Sequence, residues 1–165
     1  MKKIIKKINN ILITGGAGYI GSHIVEQLVK TNTNIIILDN LVNGYKKLIN
    51  KKAKFIIGDI KNKTKLSKVI NDYQIDSIIH LAAYLNISEA EKDKKKYYEN
   101  NIRGTLNLVH ACKKTNVRNI IFSSSCSIYG NCKGSVSEKK KPNPQSYYAY
   151  TKYKGEEIIK KFAKK

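Results

Sequence analysis

The sequence predicts an α/β protein built on a doubly wound parallel sheet, and three observations predict it. Short isoleucine-rich runs recur along the chain without the polar alternation of a half-exposed strand. Uninterrupted apolar strands of this kind are buried on both faces of a parallel sheet. Stretches with helical apolar spacing lie between them, so strand and helix alternate as right-handed crossovers require. The first run also ends in a cluster of glycines that leads directly into one of those helices.

The strands follow in order: "NILIT" (10–14), "NIIIL" (34–38), "KFII" (54–57), "SIIHLA" (77–82) and "NIIFSS" (119–124). Helices are expected over 22–30, where Ile24, Val25, Leu28 and Val29 share a face, and over 64–73, with Leu66, Val69 and Ile70. A longer helix is expected over 94–115, with Leu106, Leu108, Val109 and Ala111 turned inward, and a last one over 147–162. Residues 130–146, which hold both prolines (Pro142 and Pro144), read as one long loop. The 165 residues are the length of a single domain, 1–165, with neither an internal repeat nor a linker.

Composition narrows the function classes. A formal charge of +20 suggests a polyanion partner, but the charge is nearly all lysine, with Arg103 and Arg118 the only arginines. Base readout and bidentate phosphate gripping favour arginine, and no nucleic-acid motif is present, which argues against a nucleic-acid partner. Cys112, Cys126 and Cys132 lack the paired spacing of a metal site, so no metal is expected and reduced thiols in a cytoplasmic protein are the simplest reading. The basic start "MKKIIKKINN" has no apolar signal region, and no run reaches the length of a membrane span.

The glycine cluster carries the first functional signal. In strand–Gly15-Gly16-Ala17-Gly18-Tyr19-Ile20-Gly21–helix, Gly15 permits the tight turn and Gly18 the close approach of a pyrophosphate. Gly21 lets the helix pack on the strand, and the helix N-terminus offers free N–H groups to phosphate. An acid at the end of the second strand completes this Rossmann-type dinucleotide fingerprint, and Asp39 stands there. Its carboxylate accepts from ribose hydroxyls and repels a 2′-phosphate, so NAD is favoured over NADP. The small residues after the fourth strand, in Leu81-Ala82-Ala83, leave room for the ligand, whereas His80 reads as a packed histidine.

The second signal is chemical. "FSSSCSIYG" (122–130) sets hydroxyls at the carboxyl end of the fifth strand, facing the same crevice. In "PQSYYAYTKYKGEE" (144–157), a tyrosine four residues before a lysine shares its helical face. A neighbouring ammonium favours phenolate, and a phenolate can serve as general base. Spacing alone leaves two registers open, Tyr148 with Lys152 and Tyr150 with Lys154.

Together, "TGGAGYIGSH", "LDN", "GDI", "HLAA", "YYENNIRGTLNL", "IFSSSCSIYG" and "YAYTK" resemble the extended short-chain dehydrogenase/reductase family, and within it the nucleotide-sugar 4-epimerases. The resemblance runs from Asn10 to the end of the chain. It implies the first register, because the family carries Ser or Thr before the lysine and Thr151 precedes Lys152. Tyr148 would then be the base, Lys152 its partner and a nicotinamide-ribose contact, and Ser125 the catalytic hydroxyl. The resemblance assigns Tyr19, Ile20, Asn100, Leu81, Ala82 and Ala83 to the cofactor, Asp59 and Ile60 to adenine, and Asn40, Asn43 and Gly44 to an adenosine-side loop. It implies transient oxidation of a UDP-sugar at C4, with Tyr148 taking the 4-hydroxyl proton. Related dehydratases carry an acid pair within the serine run, which "SSSCS" lacks. Leu85 departs from the pattern, standing where many such epimerases have lysine. Family members are also longer, so a carboxyl-terminal substrate domain is expected to be missing from this sequence, with weak or no activity for the chain alone. Homodimers through the helices over 94–115 and 147–162 are a further implication.

Overall fold

The computed structural model describes residues 8–113 and 115–163. Five parallel strands form one sheet: β1 (Asn10–Thr14), β2 (Asn34–Asp39), β3 (Lys54–Ile57), β4 (Ser77–His80) and β5 (Asn119–Phe122), in the order β3-β2-β1-β4-β5. The chain winds outward from β1 to β3, returns across β1, and continues through β4 to β5. The reversal falls between β1 and β4, so a crevice opens beyond their carboxyl ends, the place where such sheets bind ligands.

Register explains why the strands do not alternate. Leu12 stands beside Ile36 and Ile78, and Ile13 beside Ile37 and Ile79. Leu12, Ile36 and Ile78 face one core, closed by Leu66 and Ile70 of α2 (Lys63–Asp72) and Leu108 of α5 (Gly104–Cys112). Ile11, Ile13, Ile35 and Ile37 face the other, covered by Val25 of α1 (Tyr19–Leu28). Helices on both faces leave no solvated side for a polar residue.

The expected helix over 94–115 is corrected in form. Asp93 caps a short α4 (Lys94–Tyr97), a π-turn occupies Tyr98–Arg103, and only then does α5 run. The extra residue of a π-turn re-aims side chains, and here Asn100 and Asn101 are both buried. The helix ends at Cys112, whose carbonyl accepts from Thr115 Oγ1 at 2.7 Å. A short α3 (Ile87–Lys92), capped by Asn86, was not legible in the sequence. The last helix, α6 (Tyr147–Ala163), lies close on β5: a Cβ at Gly155 would sit 2.4 Å from the Phe122 ring. Among the described residues no helix is long and apolar enough to cross a membrane, and Cys112, Cys126 and Cys132 are unbridged.

Candidate active site

The glycine turn is shaped by what it lacks. Gly15 has φ +75°, and a Cβ there would lie 2.7 Å from the Ala82 nitrogen. At Gly21 a Cβ would lie 2.3 Å from the Gly15 oxygen, closer than any real contact. Gly18 differs: its Cβ would meet only the Gly15 oxygen, at 3.4 Å, with open cleft beyond. No side chain caps α1, so its first-turn N–H groups remain available to an anion. The surroundings therefore fit a pyrophosphate.

Asp39 ends β2 and is buried beside this turn. Its Oδ2 accepts from the Ala17 N–H at 3.0 Å and its Oδ1 from the Leu41 N–H at 2.8 Å. Each carboxylate oxygen can accept more than one hydrogen bond, so the group can still receive ribose hydroxyls. The following loop folds back on the turn through Tyr45 N–H to the Ala17 carbonyl. Gly44 permits this, since a Cβ there would sit 2.9 Å from both Ala17 Cβ and Asp39 Oδ1. Asn40 donates to Asp59 Oδ2 at 3.0 Å, joining the ends of β2 and β3.

At the end of β4, His80 is a structural histidine, as its apolar setting suggested. Thr105 Oγ1 donates to the Asn101 carbonyl, so toward His80 Nε2 (2.9 Å) it acts as acceptor and Nε2 carries the proton. Nδ1 then accepts from Thr14 Oγ1 at 2.6 Å. Burial, and next the nearby Lys152 charge, lower the His80 pKa to about 3. A neutral, doubly hydrogen-bonded imidazole ties β1, β4 and the start of α5 together under the cleft.

The chemical end is assembled from separate segments. Asn101 accepts from the Tyr84 N–H, donates to the Tyr84 carbonyl and donates to Thr151 Oγ1. It also accepts from Asn100 Nδ2 at 3.0 Å. One buried amide thus joins the loop after β4 to α6 beside Lys152. Tyr148 packs with Ala90 and Tyr97, and Tyr97 donates to Glu89 Oε2 at 2.9 Å. Lys152 is only 3% exposed, and burial lowers its pKa to about 8. Its Nζ lies 4.7 Å from the Phe122 ring centroid, and no acceptor among the described residues takes its protons. A buried ammonium without a partner at the wall of a cleft calls for a hydroxyl or an anion from a ligand.

One cleft of about 750 Å³ joins these parts. Gly15, Gly18, Tyr19, Ile20, Gly21, Asp39, Asn40, Asn43, Gly44, Ile60, Leu81, Ala82, Ala83, Asn100, Tyr148 and Lys152 all line it, as do Leu85 and Gly58. Tyr148 and Lys152 face it together, whereas Tyr150 stacks on Tyr147 and Lys154 pairs with Glu157, outside it. Two expected residues do not reach the wall. Asp59 lies behind Asn40, and the Ser125 hydroxyl turns to Ser127, 2.8 Å from Ser127 Oγ, where it caps a 3₁₀ turn over Cys126–Tyr129. Ser123 and Ser124 line the cleft instead. Glu89, Tyr84 and Asn86 also line it without having been foreseen. Only the capping role of Asn86 had a local signal, since Asn favours the start of a helix.

A glycine turn leading into a helix N-terminus, a buried acid at the end of β2 and a Tyr–Lys pair share one cleft, the arrangement of a Rossmann-type dinucleotide-binding domain. The chain belongs to the NAD dependent epimerase/dehydratase family, whose model matches residues 11–165. It is 41% identical over 150 residues to a UDP-glucose 4-epimerase of Lactobacillus helveticus, covering 90% of this chain and 46% of that protein. It matches a solved UDP-glucose 4-epimerase of Brucella ovis in complex with NAD, with TM-score 0.89 and 36% identity, over 94% of this chain and 48% of that one. The enzyme of Thermotoga maritima, solved with UDP-glucose, matches with TM-score 0.90 and 33% identity, over 94% of this chain and 52% of that one. The chain spans about half the length of most of the curated relatives it matches, 46% for that of Lactobacillus helveticus and 45% for that of Lacticaseibacillus casei.

Proposed function

We propose that this chain forms the cofactor-binding and proton-transfer half of a UDP-glucose 4-epimerase-like reaction, the interconversion of UDP-glucose and UDP-galactose by transient oxidation at C4. The observation that carries this reading is the convergence of Tyr148, Lys152 and the glycine turn on one cleft. When bound, NAD supplies the reversible hydride acceptor for sugar C4. The first-turn N–H groups of α1 hold its pyrophosphate, Asp39 a ribose, and Asn100 and Lys152 the nicotinamide side. With a pKa of about 8, Lys152 is mostly charged at neutral pH, and its charge favours the phenolate of Tyr148. That phenolate takes the 4-hydroxyl proton and returns it after the keto sugar has turned. Ser123 and Ser124 stand on the wall where a sugar hydroxyl can be oriented, and Ser125 joins them once its bond to Ser127 is exchanged for one to substrate. The serine run carries no acid to protonate a leaving hydroxyl, which favours epimerisation over dehydration.

The test joins this chain to the remaining half of the Lactobacillus helveticus relative and supplies UDP-galactose. Formation of UDP-glucose is expected, with turnover falling about 10²–10⁴-fold in Tyr148→Phe, the range of a lost general base. A folded, NAD-loaded hybrid whose turnover is unmoved by Tyr148→Phe would contradict the assignment.

A further inference from the structure

We infer that Glu156 is a positioning residue that holds the serine run against the Tyr148–Lys152 face of α6, an inference that rests on reading those two residues as the reacting pair. Tyr148, Lys152, Glu156 and Lys160 recur every fourth residue along α6, so they form one stripe on its surface. The first two line the cleft. Glu156, one turn beyond Lys152, receives the Ser124 hydroxyl on Oε1 at 2.7 Å, and Lys160 donates to its Oε2 at 2.9 Å. Burial acts to raise the Glu156 pKa, but the hydrogen bonds from Lys160 and Ser124 outweigh it and hold the group below its ordinary value. The acceptor is therefore a carboxylate at neutral pH, and charge-assisted bonds of this kind are the strong ones.

The geometry around the bond makes it a clamp. Ser124 follows β5 directly and lines the cleft. Next to Glu156, Gly155 lets the helix close onto the Phe122 ring. Phe122 in turn lies under the Lys152 ammonium. Two adjacent helix residues thus grip the end of β5, one by absence of a side chain and one by a hydrogen bond. Glu156 itself stays off the cleft wall, while its partner Ser124 is part of that wall. The pair sets the height of Ser123 and Ser124 relative to Tyr148 and Lys152, which hydroxyl placement within a fraction of an ångström demands.

The experiment is hydrogen–deuterium exchange on the full chain, comparing Glu156→Ala, Glu156→Gln, Ser124→Ala and the Ser124→Ala/Glu156→Ala double variant. Exchange over 123–129 is expected to quicken about tenfold in each alanine variant, with β1 and β2 unchanged, because the opening is local. The double variant is expected to match either single one, since both break the same bond. Glu156→Gln keeps an acceptor for Ser124 and is expected to stay within about twofold of the native chain. Unchanged exchange over 123–129 would overturn the inference. So would a rise spread evenly over the sheet, or a Gln variant as fast as the Ala variant. NADH affinity, measured by fluorescence on the same samples, reports the cofactor reading separately: a native chain that fails to bind NADH would contradict that reading, while the exchange data still decide the clamp.

Discussion

The two ends of the cleft are built in opposite ways. The end proposed to hold phosphate is contiguous in sequence and made of backbone: Gly15, Gly18 and Gly21 act by lacking side chains, and no side chain caps the first turn of α1. The chemical end is made of side chains from distant segments. Asn101 reaches 17 residues back to Tyr84 and 50 forward to Thr151, and Ser124 reaches 32 forward to Glu156. The first end is positioned by local geometry and the second by tertiary packing. The phosphate end should therefore fail through its backbone, and the chemical end should lose function while the fold survives.

The largest effect separating them is expected at Gly21. A Cβ 2.3 Å from the Gly15 oxygen forces the turn apart, so Gly21→Ala is expected to abolish NAD binding and lower the melting temperature together. Gly18→Ala sharpens the contrast, because its Cβ enters open cleft. It is expected to keep the native melting temperature while weakening NAD by about tenfold or more, the effect of filling ligand space. Equal melting losses in the two variants would break the comparison.

At the chemical end, Lys152→Met is expected to abolish activity yet stabilise the unliganded chain. Lys152 has a lowered folded pKa, about 8 against 10.5. The unfolded chain therefore binds this proton more tightly, and the burial penalty is absent above pH 10.5, grows as pH falls through that window, and is complete below about 8. At neutral pH the penalty is on the order of 3 kcal/mol, from 1.36 kcal/mol per pKa unit. Urea melts of native chain and variant at pH 7 and pH 10 check this: the variant's advantage should be large at the lower pH and shrink at the higher. His80 acts with the same sign in acid. Its lowered pKa makes stability full above 6.5 and progressively lost as pH falls toward about 3.

The smallest expected effect tests the register. Tyr150 and Lys154 lie outside the cleft, so Tyr150→Phe should leave turnover of the hybrid enzyme nearly unchanged, whereas Tyr148→Phe lowers it about 10²–10⁴-fold. A large loss in Tyr150→Phe would exchange the two assignments.

The same contrast explains what was legible beforehand. The five strands, the glycine turn and Asp39 could be read from the sequence because each depends on a few neighbouring residues and a local requirement. The Tyr–Lys register could not be read from spacing, since both pairs share the interval of four; packing against Ala90 and Tyr97 separates them. The π-turn over Tyr98–Arg103 leaves no mark in composition, because one inserted residue changes the direction of Asn100 and Asn101 without changing residue types. Ser125 was favoured by motif position, yet its neighbours line the wall, because a local Ser127 contact competes for its hydroxyl. The Glu156 contact lay equally out of sight, 32 residues from its partner.

The central claim is that the glycine turn, Asp39 and Lys152 together make a working NAD site within these residues. The most direct measurement purifies the chain, denatures it and assays the supernatant for released NAD, with NAD added back to any chain that carries none. The account predicts NAD in amounts near equal to protein, or saturable rebinding that Gly21→Ala and Lys152→Met both remove. A soluble, folded chain that releases no NAD and binds none would contradict it.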